Sequence, residues 1–371
     1  MKVTYDLIYF ALQPFGGISR MWMELFKQLP DPEIDPTFIV GPAENVAQEY
    51  LEKNNFYGGA VQREEAKGFY QKLRRLGFYR NLHLMGENLK SGDHIFHSTD
   101  YINPLIARKS LKIVTTIHDM VFWDQSDRFI RNTWYYDKLW STYHACKISK
   151  RIITVSESAK LRILAQFPWA EEKIRVIYHG LDDTLLSVGL EPNKQKRILF
   201  IGGRNTHKNF ELLAKAFSIF ILDYPDWQLH LVGPNENSRD DEHMLFSNLE
   251  IKDHVIDHGL VSQKTLTSLL QTAAALVIPS LNEGFNFPLL EGMAAGCPVL
   301  SSDIPVSREL GGGRARFFPV KSETKLIEQL RFLADNPPTI NELSSNQQYA
   351  QSFRWENSFN ALKQVYAECF E

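Results

Sequence analysis

The sequence predicts an α/β protein built from two open, mostly parallel sheets. Short apolar runs alternate with helix-length amphipathic segments along the whole chain, which is typical of strands joined by crossover helices. The chain has 371 residues, enough for two or three domains. A single sheet of about twelve strands would be unusually large. Two domains, each with its own sheet, are therefore the better interpretation.

Six apolar runs in each half of the chain have the length and composition of strands. In the first half they are Val3–Phe10, Thr37–Gly41, His94–Ser98, Lys112–Ile117, Arg151–Val155 and Ile174–Tyr178. In the second half they are Arg197–Ile201, Gln228–Val232, Val255–His258, Ala274–Ile278, Pro298–Ser301 and Ala315–Pro319. Most of the segments between them read as helices, for example Arg20–Gln28 and Phe210–Leu222.

A polar segment between the two halves is the predicted domain boundary. Leu185–Lys196 contains Gly189 and Pro192 and lies between two apolar runs. We therefore assign residues 1–185 to a first domain and residues 197–354 to a second. The final stretch, Arg354–Phe370, is predicted to be helical, but its periodicity does not indicate the domain on which it packs.

Composition and charge exclude several classes of protein. The chain has 41 Lys plus Arg and 44 Asp plus Glu, and the resulting formal charge of −3 argues against a protein that coats nucleic acid. Its three cysteines are too few and too scattered for a disulfide framework or a zinc site. No run of about 18 apolar residues is present, and the residues after Met1 lack signal-peptide anatomy. We therefore expect a cytoplasmic protein, in which an aromatic content of 12% is the one unusual value.

The densest motif is Ser280–Pro298, which follows the predicted strand Ala274–Ile278. Pro288 is well placed as a first helical residue and Gly296 as the residue after the helix ends, which predicts a short helix over about residues 288–295. The start of such a helix favours a phosphate. Glu283 in the loop and Glu291 on the helix would then suit separate hydroxyl groups, as a sugar nucleotide offers. A capped helix with two solvated glutamates is the alternative.

A second motif, Gly202-Gly203-Arg204-Asn205-Thr206-His207-Lys208, also follows a predicted strand directly. Arg204 offers a planar two-point donor and Lys208 a compact charge, and together they suit a diphosphate. In a transferase they would stabilise the negative charge that builds on the leaving group. Two surface cations near a turn are the alternative interpretation.

Two weaker motifs follow strands of the first half. The glycine pair Gly16-Gly17 allows close approach of the backbone to a ligand at a helix start, but it is not the full dinucleotide-binding fingerprint. His118 ends the strand Lys112–Ile117 and is placed to bind a substrate hydroxyl. Taken alone, each is equally consistent with a structural role.

In combination and in order, these motifs resemble the retaining glycosyltransferases of family 4, the group 1 glycosyltransferases. The family's glycine pair matches Gly16-Gly17, its His-Asp matches His118-Asp119, and its Val-Ser-Glu-x-Ser-Lys is similar to residues 155–160. Its diphosphate-binding Arg and Lys match Arg204 and Lys208. Its E-x7-E signature matches Glu283 through Glu291. The resemblance covers nearly the whole chain and implies the GT-B fold, two Rossmann-like domains facing a central cleft.

The resemblance also implies roles for individual residues. The catalytic residues would be His118, which touches the transferred sugar, Glu283, which binds its hydroxyls, and Arg204 and Lys208, which hold the diphosphate. The remaining donor-binding positions would be Gly16, Gly17, Gly203, Gly284, Phe285, Asn286 and Glu291, with Glu291 on the ribose. The final helix, residues 355–371, would cross back onto the first domain. Asn286 departs from the family pattern, which has glycine there, and this bears on donor preference.

The implied reaction is transfer of a sugar from a nucleotide diphosphate sugar to an acceptor hydroxyl with retention of configuration. No Asp-x-Asp-type cation site is apparent, so we expect no metal and no other cofactor. The first loop, Gly-Gly-Ile-Ser-Arg, is similar to that of bacterial enzymes that build surface polysaccharides. GDP-mannose is accordingly the first choice of donor, and a glycan or lipid-linked saccharide is the expected acceptor. A nucleotide-sugar epimerase, a phosphorylase and a catalytically silent binding protein on the same fold are the alternatives.

Two aromatic regions bear on the acceptor. Lys67–Arg80 mixes cations with aromatic and aliphatic residues, as segments that lie on anionic membranes do. The stretch from Phe122 to Tyr143 follows His118 and is rich in Trp and Tyr. It is expected either to line the acceptor side of the site or to serve as core. A solvated basic helix is the alternative for the first region, so peripheral membrane association remains one of two expectations.

Overall fold

The computed structural model describes residues 1–6, 16–29, 31–40, 61–63, 94–100, 112–120, 123, 133–204, 206–234 and 239–371. The chain forms two compact units. The first contains Met1–Gly180 and Trp355–Glu371, and the second contains Leu181–Arg354. Each unit has one parallel sheet with helices, which confirms the predicted α/β class. None of the described helices has the length and apolar character needed to cross a membrane.

The first unit contains a seven-stranded parallel sheet of order β3-β2-β1-β4-β5-β6-β7. Its strands are β1 (Lys2–Asp6), β2 (Asp35–Val40), β3 (Val61–Arg63), β4 (His94–Ser98), β5 (Lys112–Ile117), β6 (Arg151–Thr154) and β7 (Ile174–Val176). Its described helices are α1 (Gly17–Lys27), α2 (Thr133–Ile148) and α3 (Glu157–Gln166), with a 3₁₀ turn at Pro168–Lys173. The strand order reverses between β1 and β4, so the loops after these two strands diverge there.

The second unit contains a six-stranded parallel sheet of order β10-β9-β8-β11-β12-β13. Its strands are β8 (Gln195–Ile201), β9 (Gln228–Val232), β10 (Val255–Asp257), β11 (Ala273–Ile278), β12 (Val299–Ser302) and β13 (Arg316–Phe318). Its described helices are α4 (Asp183–Leu186), α5 (Phe210–Asp223), α6 (Arg239–Asn248), α7 (Gln263–Thr272), α8 (Phe287–Ala294), α9 (Pro305–Gly311), α10 (Glu323–Asp335) and α11 (Ile340–Ala350). Here the order reverses between β8 and β11.

The last helix, α12 (Trp355–Ala367), belongs to the first unit. Its buried Tyr366 hydroxyl donates to the Tyr5 hydroxyl on β1 at 3.0 Å and contacts His97 Nδ1 at 2.6 Å. Lys363 Nζ lies 2.9 Å from a carboxylate oxygen of Asp31. Residues more than 300 positions apart in the sequence thus share one core and one surface ion pair.

The predicted strands are confirmed to within about two residues at each described end. Three strands, His94–Ser98, Lys112–Ile117 and Gln228–Val232, have the predicted bounds at both ends. The predicted first strand, Val3–Phe10, is observed as Lys2–Asp6, and its later residues lie outside the described ranges. The three-residue edge strand β3 was absent from the prediction, because so short a run carries almost no periodicity.

The chain passes between the units at Gly180–Leu181. The Leu181 amide donates to the Phe353 carbonyl at 2.9 Å, and Leu185 is fully buried in the second unit. The polar segment Leu185–Lys196 therefore lies within the second unit and leads into β8. The polar composition of this segment predicts an exposed linker. In the structure, its apolar residue Leu185 packs in the second unit.

Candidate active site

The reversal of strand order in the second unit brings two predicted motifs together. The loop after β8 carries Arg204 and Lys208, and the loop after β11 carries Glu283. Because β8 and β11 are neighbours, both loops leave the sheet at the point where open α/β sheets bind ligands. The Leu281 amide donates to the His207 carbonyl at 2.8 Å, and Asn209 Nδ2 donates to the Pro279 carbonyl at 3.2 Å. The two loops are therefore tied to each other.

An ion pair joins the charged residues of these loops. Lys208 Nζ lies 2.7 Å from Glu283 Oε1, and both side chains are largely buried. The Ser280 hydroxyl donates to the same oxygen at 2.7 Å. Burial alone would raise the pKa of Glu283, but the Lys208 ammonium and the Ser280 hydroxyl hold that pKa below its ordinary value. Glu283 is therefore an ionised acceptor at neutral pH.

The two carboxylate oxygens of Glu283 have different surroundings. Both hydrogen bonds, from Lys208 and from Ser280, go to Oε1. Within the described part of the chain, Oε2 accepts no hydrogen bond. A carboxylate held in place through one oxygen presents the other to a hydroxyl donor, as a sugar would supply.

Helix α8 begins directly after this loop. Asn286 is its N-cap residue and adopts the left-handed conformation, with φ 64° and ψ 57°. Its amide Nδ2 donates to the Ser307 hydroxyl at 3.0 Å, which lies 3.0 Å from the Ser301 hydroxyl. All three residues are buried. The family's glycine adopts this conformation freely, and Asn is among the few other residues that tolerate it.

Close packing on the sheet sets the position of α8. A Cβ atom on Gly292 would lie 2.8 Å from side-chain carbons of both Leu276 and Val299, so a larger residue would have to displace these side chains of strands β11 and β12. Gly296 follows the helix with φ 68°, which confirms its predicted place after the helix end. Glu291, the second glutamate of the signature, lies on α8 and is buried. The predicted helix, residues 288–295, is observed as Phe287–Ala294.

Arg204 is surrounded differently from what its predicted role suggests. Its guanidinium pairs with two carboxylates, through Nε with Glu242 Oε1 at 2.9 Å and through Nη2 with Asp257 Oδ1 at 2.7 Å. Only 1% of the side chain is exposed. The other predicted positions of this unit, Gly203, Gly284 and Phe285, lie in the two loops beside it, and Phe285 is buried.

The first unit places its predicted residues along the carboxyl edge of its own sheet. Gly16 precedes α1 and Gly17 opens it, and both are exposed. His118 directly follows β5 and is buried, with Nε2 3.1 Å from the Thr99 carbonyl. Burial lowers the pKa of His118, outweighing the Thr99 carbonyl and the nearby carboxylates Asp100 and Asp119. The imidazole is therefore neutral at pH 7.

A buried ion pair lies beside His118. Lys138 on α2 donates to both carboxylate oxygens of Asp100, at 3.2 and 3.1 Å. A strand-end position was the only sequence signal for Asp100, and nothing local in the sequence indicates that a helix lysine 38 positions later reaches it. Local sequence patterns likewise indicate no role for Ser280, Ser307, Glu242 or Asp257.

Two family models together match nearly the whole chain. The model described as Glycosyltransferase Family 4 matches residues 15–185, and the model described as Glycosyl transferases group 1 matches residues 183–350. The two matched segments hold every residue of the predicted site. This chain belongs to the group 1 glycosyltransferases. It is accordingly a transferase enzyme.

Curated relatives of this glycosyltransferase are about a quarter identical to it over the aligned residues. The O-antigen chain mannosyltransferase of Salmonella typhimurium is 27% identical over 70% of this chain and 69% of its own length. The MMP alpha-(1->4)-mannosyltransferase of Mycolicibacterium hassiacum is 27% identical over 68% of this chain and 64% of its own.

Solved structures extend the likeness in fold to the full length of the glycosyltransferase. HepE from Anabaena, in complex with UDP and glucose, has a TM-score of 0.75 and 16% identity, covering 99% of both chains. The sucrose-phosphate synthase of Thermosynechococcus elongatus has a TM-score of 0.72 at 16% identity, covering 100% of this chain and 99% of its own. These likenesses confirm the GT-B fold class.

Of the two aromatic regions singled out in the sequence, the structure describes only the second in part. Lys67–Arg80 lies outside the described residues. On α2, the side chains of Tyr136, Trp140 and Tyr143 are exposed. They are spaced four and three positions apart, so they share one face of the helix. These three residues are therefore not core, although Trp123 packs edge-on against the buried Phe167.

The left-handed N-cap of α8 generates a stability prediction. Asn286→Gly and Asn286→Ala both lose the amide contact to Ser307, but only alanine resists the φ of 64°. We expect the alanine variant to be less stable than the glycine variant by about 1 kcal/mol. Urea-induced unfolding of the two proteins measures this difference, with Ser307→Ala as the control that removes the contact and leaves the backbone unchanged. Equal unfolding midpoints for the two Asn286 variants would contradict the expectation that alanine is strained in the left-handed conformation at this position.

Proposed function

We propose that this glycosyltransferase moves a hexose from a nucleotide diphosphate sugar to a hydroxyl of a glycan or lipid-linked saccharide, with retention of configuration. The observation that carries the proposal is the Lys208–Glu283 pair at the β8/β11 reversal, directly before the start of α8. A cation and a helix start suit a diphosphate. An ionised carboxylate with one oxygen directed to no described partner suits sugar hydroxyls.

Most of the predicted residues then have a defined part. Lys208 and the first amides of α8 stabilise the diphosphate as negative charge builds on it, and Glu283 Oε2 accepts a hydrogen bond from a donor hydroxyl. Glu291 serves the ribose, and Gly16 and Gly17 allow backbone approach to the donor. His118, neutral at pH 7, hydrogen-bonds the transferred sugar. Arg204 reaches the diphosphate by exchanging one of its carboxylate partners, Glu242 or Asp257, for a phosphate oxygen.

The proposed chemistry proceeds on one face of the sugar. The bond from the anomeric carbon to the phosphate oxygen breaks, and a bond from the same carbon to the acceptor oxygen forms. The acceptor's proton passes to the departing phosphate oxygen. The sugar has oxocarbenium character at the transition state. The protein contributes mainly the stabilisation of the diphosphate charge.

Mannose is the proposed sugar, and GDP-mannose the first donor to test. Two relatives, the mannosyltransferases of Salmonella typhimurium and Mycolicibacterium hassiacum, support this choice by their names. HepE, of the same fold, was solved with UDP and glucose, so UDP-glucose is the natural competitor in the assay. Cell-surface polysaccharide synthesis is the proposed setting.

The role of Lys208 is tested by its replacement. Lys208→Ala removes one charge from the proposed diphosphate site, and we expect kcat to fall by about 10²–10³. Lys215→Ala is the matched control, since Lys215 also pairs with a glutamate of this unit, Glu211 at 2.7 Å, but on the exposed surface of α5. A transfer or donor-hydrolysis assay measures both variants. Equal values of kcat in the two variants would show that Lys208 does not contribute to the reaction.

The proposed reaction uses protein cations and a helix start in place of a metal ion. We therefore expect kcat to be unchanged after dialysis against a chelator. Adding back magnesium or manganese gives the matched comparison. A rate that disappears in chelator and returns with one of these ions would contradict the proposal that protein cations and the helix start act in place of a metal ion.

We also propose that the reaction takes place at the cytoplasmic face of a membrane, on a lipid-linked acceptor. Tyr136, Trp140 and Tyr143 form an exposed aromatic face on α2, and Lys147 Nζ lies 5.7 Å from the Tyr143 ring centroid. Aromatic rings beside cations are favoured at bilayer interfaces. We expect Trp140→Ser to reduce flotation with anionic liposomes, and Leu222→Ser, at an exposed apolar position of the second unit, to leave it unchanged. Equal flotation of both variants would argue against this face.

A further inference from the structure

The first unit buries a carboxylate to which the proposed reaction gives no part. Asp6 is the last residue of β1 and is 0% exposed. Its Oδ1 accepts hydrogen bonds from the Thr99 amide at 2.9 Å and from the Thr99 hydroxyl at 2.5 Å. Its Oδ2 accepts one from the Ser98 hydroxyl at 2.8 Å. Asp6 therefore holds Thr99 through both its backbone and its side chain.

Thr99 in turn contacts His118. The Thr99 carbonyl lies 3.1 Å from His118 Nε2 and accepts a hydrogen bond from Trp22 Nε1 at 3.2 Å. A carbonyl oxygen only accepts hydrogen bonds, so the hydrogen of this contact must be on Nε2. Since burial keeps the imidazole neutral, its hydrogen is on Nε2 and its lone pair is on Nδ1.

Stability alone does not account for a carboxylate at this position. Burial raises the pKa of Asp6 to about 6, with a further rise from the nearby carboxylate of Asp100 and partial compensation from its Thr99 and Ser98 donors. The Asp100 carboxylate is itself paired with Lys138. When the pKa of an acid is higher in the folded protein than in the unfolded chain, its protonated form stabilises the fold at low pH. That contribution to the free energy of unfolding is lost as the pH rises toward the folded-state pKa. At pH 7 the ionised group therefore costs stability, and a neutral residue of the same shape would relieve that cost.

We propose that Asp6 is a positioning residue for the transfer reaction. It fixes Thr99 so that the Thr99 carbonyl holds the His118 ring in one orientation and one tautomer, with hydrogen on Nε2. This proposal rests on the proposed function of His118, which requires its ring to meet the donor sugar in a fixed geometry. Displacing a group that contacts substrate by about 1 Å is enough to cost about 10² in rate.

Two replacements of Asp6 separate positioning from charge. Asp6→Asn keeps an oxygen for the two Thr99 donors, and its amide hydrogens donate to the Ser98 hydroxyl, which also donates to the Asp100 carbonyl at 2.7 Å. We expect this variant to keep kcat and to have a higher Tm at pH 7. Asp6→Ala removes the acceptors, and we expect kcat to fall by about 10²-fold with the donor KM nearly unchanged.

The tautomer of His118 can be observed directly. In protein labelled with ¹⁵N-histidine, we expect the His118 signals to show hydrogen on Nε2, assigned by their loss in His118→Gln. The same pattern is expected in Asp6→Asn, and a mixture of tautomers in Asp6→Ala. If Asp6→Ala does not fold, Thr99→Val takes its place, because it removes only the Thr99 hydroxyl donor. We expect it to give a mixture of His118 tautomers with a smaller share of the minor form. Tyr366→Phe is the control, because it removes the buried hydroxyl contacts to Tyr5 and His97 and changes no hydrogen bond of Thr99.

The outcomes distinguish this inference from the proposed function. A single Nε2–H tautomer with unchanged kcat in folded Asp6→Ala would overturn the positioning role, and so would an Asp6→Asn variant as slow as Asp6→Ala. If His118→Gln left kcat unchanged, the proposed function of His118 would fail. The tautomer spectra of the Asp6 variants would still report whether Asp6 holds the ring.

Discussion

The ion pair between Lys208 and Glu283 is the interaction on which the second unit's site depends. It joins the loops after two neighbouring strands at the point where the strand order reverses. A buried ion pair is a weak source of stability, because desolvation offsets most of the attraction. Its consequence here is chemical. The pair keeps Glu283 ionised and fixed through one oxygen, and it holds the Lys208 cation on the loop that leads into α8.

Other buried charged groups near the carboxyl edges of the two sheets are also held by ion pairs or hydrogen bonds. Arg204 lies between Glu242 and Asp257, Lys138 reaches both oxygens of Asp100, and Asp6 is held by three donors. Each of the three clusters includes a charged residue at or just after the end of a strand, namely Arg204, Asp100 and Asp6. In the second unit the paired charges surround the proposed diphosphate site. In the first unit they lie near a neutral histidine, His118.

The sequence predicted those features that depend on local patterning. Parallel strands buried on both faces read as apolar runs, so β4, β5 and β9 were predicted to the residue. The Gly296 helix end followed from glycine's conformational freedom. Contacts between distant segments could not be predicted in this way. The Asp257 partner of Arg204 comes from a strand two positions away in the sheet, and the Lys138 partner of Asp100 comes from a helix. Asn286 departs from the family's glycine, but its left-handed backbone and its buried Ser307 partner depend on tertiary packing that local patterning does not indicate.

A crystal structure of the protein with a bound nucleoside diphosphate tests the central claim most directly. We expect the diphosphate at the β8/β11 reversal, with a phosphate oxygen within hydrogen-bonding distance of Lys208 Nζ and of the first amides of α8. A diphosphate bound at the β1/β4 reversal of the first unit, with the Lys208–Glu283 pair unchanged, would contradict it.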